Sequence, residues 1–475
     1  MGHRSGADGP RPAQAPRRRG FGIGVAVLLA LALVAGACSS GRSSNAGSDG
    51  STATTTASAT DASSFGDLAS PCGPGDASGS TAQGVTDSAI TIGYGDDAGY
   101  QAAPGLSHQL SDAVKAMISW CNDQGGINGR KVVGNYYDAK VTEVTNAMTQ
   151  ACQQAFMLVG EGWVFDSGQE STRQGCDLPA VPGYGVSPAF TNAPNQVQSV
   201  PNPVDYMPTE FAAAFQKLFP EQIKKTGLVY ADYPATKDPK DKVVSTYGAY
   251  GFEFLPCDQI YGIQGESDWK PLAQKLKDCG AEAVYFAGSP YPNFENFLDA
   301  ANQIDYHPIW FSDANMYDEG LAKWNVNGYA DNVYMRSSFV PLFEADKVPA
   351  IQKYIDIVTK SGGETNQLGE QAASSFLLWA TAAKQCGSTL TRACVMAALA
   401  KVTSWTGGGL HSVGNPAQNL PATCGVVLKV TGTEFTRVYP EEPGTLDCSD
   451  SYAAKVTGPI IERSHLDANR VSQPS

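Results

Sequence analysis

The chain has 475 residues, with 33 Lys and Arg against 47 Asp and Glu, a formal charge of −14. An acid excess of this size repels phosphate backbones and anionic lipid surfaces, which excludes nucleic acid and a charge-held membrane surface as partners. Beyond a leader and a tether, about 375 residues remain, more than one hydrophobic core normally holds, so two lobes are expected.

Residues 1–37 read as a secretory signal. Arg4, Arg11, Arg17, Arg18 and Arg19 precede a run of 14 residues, Phe21 to Val34, that is apolar apart from glycine. Such a run is too short to span a bilayer comfortably. It ends in AGACSS. Ala35 and Ala37 fit an A-x-A cleavage site, while Cys38, directly after small residues, resembles the lipobox cysteine of bacterial lipoproteins with Ala35 in place of the usual leucine. Cleavage leaves 28 basic and 46 acidic residues, a formal charge of −18. Lipidation of Cys38 takes one of 11 cysteines and leaves an even 10, which suits an oxidising compartment. The expected location is extracytoplasmic, with attachment to the cell membrane through the lipid alone; the alternative is a secreted chain with an odd thiol.

Residues 38–84 contain stretches such as GSTATTTASATDASS and few large apolar side chains. They cannot bury enough surface to offset ordering and read as a flexible tether, with Cys72 able to pin the distal part. The 46 residues after Cys38 give a root-mean-square reach of roughly 35–40 Å.

The body alternates strand and helix signals. AITIGYG at 89–95 is strand-like, and Leu110, Val114, Met117, Ile118 and Cys121 then recur at helical spacing. KVVGNYYDA and EVTNAMTQACQQAFM repeat the pattern. TGLVYAD, FEFLPC, AEAVYFAG and HPIWFSDA are apolar strands separated by helices, one of which carries Trp269, Leu272, Ala273, Leu276 and Cys279 on one face. This alternation predicts an α/β fold with parallel sheets covered on both faces. The glycines of QGGINGRK, residues 124–131, follow a helix and precede a strand. A phosphate cradle needs the opposite order, so Gly125 and Gly126 are expected to stop the helix and Ile127 to fold back on its last turn.

GVTDSAITIGYG, the helix ending WCNDQGGINGRKV, NYYDAK, and later AEAVYFAGSPYPNFENFLDAANQ with PIWFSDAN resemble the extracellular solute-binding proteins of the branched-chain amino acid type. Helices at 348–361, 369–386 and 391–403, then GVVLKVTGTEFTRVY, resemble the closing elements of that family, and the likeness runs over roughly 85–445. It implies the type I periplasmic binding fold: two Rossmann-like lobes, 85–207 with 340–411 and 208–339 with 412–460, joined by three crossing strands and followed by a tail at 461–475. The chain is expected to cross near Pro208, at 332–339 and near 412. The implied function is capture of an amino acid, amide or amine-like small polar ligand by hinge closure, with delivery to ABC permease subunits by a monomer.

Ligands of open α/β sheets sit beyond the carboxyl ends of strands. The loops there hold Asp96, Asp97 and Tyr100; Glu161, Trp163, Asp166 and Ser167; Tyr184; Tyr230 and Tyr233; Ser289 and Tyr291; Asp313 and Asn315. The resemblance places a ligand carboxylate around Asp166, Ser167 and Tyr184, and an ammonium at Asp313. Asp166 would repel a carboxylate, and Ser167 with Glu170 also spells an S-x-x-E capping box, the expected role of that serine. Asp96, Asp97, Glu161, Asp166 and Asp313 are expected to include several cleft acids that select an amine or other hydrogen-bond donor, although Asp313 is equally a turn aspartate. Trp163, Tyr100, Tyr184 and Tyr291 are candidate stacking walls, whereas Trp269, Trp324 and Trp379 belong to helical patterns and read as core.

Cys257 with Cys279, Cys386 with Cys394 and Cys424 with Cys448 suit local disulfides, and Cys72, Cys121, Cys152 and Cys176 two more in unfixed pairing. No cofactor or metal is expected: CxxC is absent, and His108, His307 and His411 show no ligand spacing. No G-x-S-x-G, HExxH or Walker loop is present, so the chain is not expected to be an enzyme. The alternatives are a ligand-sensing subunit for a signalling partner and a secreted hydrolase built on Asp96 and Glu161.

Overall fold

The computed structural model describes residues 63–457. The signal, Cys38, the first part of the tether and the tail lie outside the described residues.

Ile90 and Ile92 are fully buried in the strand Ala89–Asp96, which pairs in parallel with both neighbours in a four-stranded sheet. Its order is Lys131–Asp138, Ala89–Asp96, Leu158–Val159, Ala180–Val181. A strand covered on both faces needs this near-continuous burial. The helix Gln367–Cys386 packs behind the sheet and is buried almost all round, with Trp379 at its centre.

In the second lobe Thr226–Ala231, Gln259–Tyr261, Ala283–Ala287, Ile309–Ser312 and Val333–Ser337 run parallel. The hairpin Cys424–Thr431 and Glu434–Tyr439 adds antiparallel strands at one edge. Trp269 and Trp310 are buried in its core, and Trp324 packs against that core. FEFLPC, expected as a strand, makes only an isolated bridge at Phe254, and the regular strand begins at Gln259. Pro256 has no N–H to continue the ladder.

Gly125, Gly126 and Gly129 have φ of +108°, +78° and +89°. The helix Gln109–Asp123 stops there, Gly126 N donates to Cys121 O at 3.0 Å, and Ile127 folds into the core. This reversal docks another segment. Gly73 N donates to Gly126 O, Gly129 N to Gly73 O and Ala77 N to Asn128 O. Cys72 bonds Cys121, Phe65 is fully buried, and the Arg130 guanidinium donates to Thr86 O, Gly79 O and Gly387 O. Residues 63–84 are therefore a packed strap, which corrects the expectation of a flexible tether through Gly84. Backbone hydrogen bonds and one disulfide supply what the composition lacks in apolar side chains.

The remaining cysteines pair as Cys152–Cys176, Cys257–Cys279, Cys386–Cys394 and Cys424–Cys448. Crossings occur at Tyr206–Pro208 and after Val333–Ser337. The third falls at Cys424 and not near 412: Ala417 N donates to Val402 O and Asn419 Nδ2 to Thr191 O, which hold 412–420 against the first lobe.

Candidate functional site

Both sheets end, at their carboxyl edges, on one cleft between the lobes. Its main chamber has about 830 Å³ of empty space, counting the part open to solvent. The first lobe contributes Leu106, Ser107, Gln109, Trp163, Val164, Tyr184 and Val186 from loops after strands, and Asn366 and Leu368 from the start of the long helix. The second lobe contributes Tyr233, Thr236, Pro239, Ser289, Tyr291, Asp313, Asn315 and Asp318. Trp163, Tyr184, Tyr233, Ser289, Tyr291 and Asp313 thus share one chamber as their loops predicted.

The other candidates are elsewhere. Tyr100 lines a side recess and donates to Gln264 Oε1 at 2.8 Å, a bond across the lobe seam. Asp96 is buried below the cleft, accepting from Tyr136 Oη at 2.7 Å and Ala98 N at 2.9 Å. Glu161 is fully buried with neither oxygen hydrogen-bonded, and burial pushes its pKa up to about 8. Asp97 accepts from Val141 N and Val164 N, and burial raises it to about 7. Asp96 and Glu161 therefore do not form the carboxylate pair a hydrolase would need in the cleft.

Asp166 accepts from Val186 N at 2.7 Å and Ser187 N at 3.1 Å, and burial raises its pKa to about 7. The carboxylate at the helix start, where the resemblance places a ligand carboxylate, is thus turned onto amides of the Tyr184 loop. Ser167 makes no cap, because it lies inside the 3-10 turn Asp166–Gln169, and Glu170 turns to Arg173 in a two-point ion pair at 2.7 and 2.8 Å. The capping box is corrected accordingly. Of the five acids expected near the ligand, only Asp313 lines the chamber. Its Oδ1 accepts from Arg336 Nε at 2.9 Å and its other oxygen from Tyr285 Oη. Burial works against the Arg336 charge, but Asp313 and Glu210 outweigh it and hold the guanidinium above its ordinary pKa. Asp313 is thus already matched by a cation of its own lobe.

Arg336, Asp318 and Asn366 were not foreseen. A lone arginine in the apolar crossing run NVYMRSSF was the available signal for the first. Asp318 caps the helix Glu319–Trp324 and Asn366 caps Gln367–Cys386, and Asn366 Nδ2 donates to Asp318 Oδ2 at 3.2 Å. With Lys242 Nζ to Asn202 Oδ1 at 3.2 Å and Phe165 against Tyr233 at 5.4 Å, these contacts hold the lobes together. Ser374 Oγ lies 2.8 Å from His411 Nε2, but both are sealed in the first-lobe core away from the cleft. Among the described residues, no cluster of His, Cys, Asp and Glu could hold a metal, and no helix is long and apolar enough to cross a membrane.

A cleft at the carboxyl ends of two parallel sheets, bridged by contacts between lobes joined by three crossings, defines a hinged solute-binding fold. The family model for periplasmic binding proteins matches residues 89–434, and the chain belongs to that family. No curated protein matches it in sequence. Among solved structures it is similar to the fatty acid ABC transporter substrate-binding protein from Thermomonospora curvata, with TM-score 0.65 and 16% identity over 80% of this chain and 97% of that one. It is also similar to the branched-chain amino acid transporter substrate-binding protein of Streptococcus pneumoniae in complex with isoleucine, with TM-score 0.59 and 15% identity over 74% and 100%. A substrate-binding protein from Desulfitobacterium hafniense complexed with Leu gives TM-score 0.53 and 14% identity over 73% and 99%. The fold is the type I periplasmic binding fold.

Proposed function

We propose that this chain is the extracytoplasmic capture subunit of an ABC importer, a monomeric lipoprotein anchored through Cys38 that closes two lobes on one small ligand and presents it to permease subunits. The observation that carries this reading is the chamber between the lobes, with Trp163, Tyr184, Tyr233 and Tyr291 as walls and Ser289, Asn315 and Gln109 as hydrogen-bonding groups. Within the class of amino acids, amides and amine-like molecules, the lining favours an apolar body with uncharged polar groups. Asp166 is turned onto Val186 N and Ser187 N, Asp313 already has Arg336, and among the described residues no lysine or arginine lines the chamber.

A thermal-shift screen of refolded, ligand-stripped protein against amino acids, amides, urea, polyamines, sugars and aromatic acids tests it. A ligand at 100 times its Kd adds about 2.7 kcal/mol to stability. One chemical class is expected to raise Tm without being consumed. Turnover of any compound, or no shift with any of them in a folded sample, would count against the reading. Lost uptake in a deletion strain is the expected sign of transport, whereas intact uptake with altered gene expression would point to sensing.

A further inference from the structure

The main chamber continues into a second one of about 830 Å³ of empty space, and the two share Tyr184, Val186, Pro239, Asp313 and Asn315 as common walls. Their linings differ. The first carries the aromatic rings, and the second carries Gln198, Asn202, Gln367, Gln371, Lys242 and Arg336. Both cations of the second chamber are answered within the protein: Arg336 by Asp313 at 2.9 Å and Glu210 at 3.6 Å, and Lys242 by Asp238 at 2.9 Å. A ligand charge would find no unmatched partner there, and desolvating it would be costly.

The free hydrogen-bonding capacity lies in two carboxamides and in the Trp163 indole N–H, which is buried without an acceptor among the described residues. Gln109 Oε1 in the first chamber and Gln367 Oε1 in the second are buried without a hydrogen-bond partner among the described residues. Gln109 is 6% exposed, Gln367 2% and Gln371, one helical turn further on, 7%. A buried acceptor left unpaired is destabilising, so a ligand with N–H donors at both ends would relieve two such sites at once. We infer that the cleft is bipartite and takes an extended, uncharged amide, with a ring or branched apolar group between Trp163 and Tyr291 and amide N–H groups at its two ends against Gln109 and Gln367. The inference rests on the solute-binding reading above and deepens it.

Calorimetry on refolded, ligand-stripped protein with N-acetyl-phenylalaninamide, phenylalanine and benzyl alcohol tests it. The capped amide is expected to bind at least tenfold more tightly than phenylalanine. Gln367→Leu is expected to weaken the amide about tenfold and leave benzyl alcohol, which fits the first chamber alone, unchanged. Tighter binding of phenylalanine, or an amide affinity indifferent to Gln367→Leu, overturns the bipartite assignment and leaves the solute-binding reading standing. No binding of any of the three to protein with native circular dichroism also overturns the assignment, and the wider screen above then judges the solute-binding reading separately.

Discussion

Glu161 sits under the ligand loops with no hydrogen-bond partner for its carboxylate, and burial pushes its pKa up to about 8. Asp97 and Asp166, in the same region, are raised to about 7 by burial. Each of these groups holds its proton more tightly folded than unfolded, so its favourable contribution is complete below the unfolded pKa and is lost as pH rises through the folded one. Stability is therefore expected to fall between about pH 4 and pH 8. Glu161→Gln should flatten that decline by up to about 1.4 kcal/mol per pH unit and match wild type below pH 4, as urea titrations across pH would show. Asp166 behaves differently because its oxygens receive two backbone amides. Asp166→Ala strands both and should cost roughly 2–4 kcal/mol, while also weakening ligand binding by releasing the Tyr184 loop. An unchanged Tm would show that the loop finds other acceptors. At this scale the sequence was a partial guide: the aromatic residues of strand-end loops reached the cleft, whereas most of the acids turned inward, because which way a loop carboxylate points depends on amides from a different loop.

The strap 63–84 is the element that departs furthest from its composition. Its hold on the first lobe combines Phe65, the Cys72–Cys121 disulfide and backbone bonds to the glycine reversal. The disulfide closes a separation of 49 residues, and Cys72→Ser is expected to cost about 2–4 kcal/mol. The strap should then become the first site cut by protease; cleavage starting elsewhere would show that Phe65 and the backbone bonds suffice. The glycine reversal itself was legible, since helix-then-strand order forbids a phosphate cradle and demands left-handed residues. The partner it binds was not, because those contacts join the reversal to a segment some 50 residues earlier.

For the whole molecule, besides the buried Glu344–Arg437 ion pair, the lobes are joined by single hydrogen bonds such as Asn366 to Asp318, Tyr100 to Gln264 and Lys242 to Asn202. Each is worth on the order of 1 kcal/mol, so the hinge is readily biased by a ligand. Asn366→Ala should weaken every ligand by a similar factor of about 5, because it removes the bond to Asp318 of the other lobe and so lowers the closed population for all of them. Loss confined to one compound would instead make Asn366 a direct ligand contact.

From the residues alone came the α/β class, the two lobes, the helix stop at Gly125 and the strand-end loops from which Trp163, Tyr184, Tyr233, Ser289, Tyr291 and Asp313 line the cleft. Periodicity and turn chemistry are local, and the position of a loop after a parallel strand follows from topology. Tertiary structure decided the pairing of Asp313 with Arg336, the turning of Asp166 onto Val186 and Ser187, the late third crossing and the second chamber. Each depends on groups far apart in the chain meeting in space, and such meetings leave no periodic trace along it.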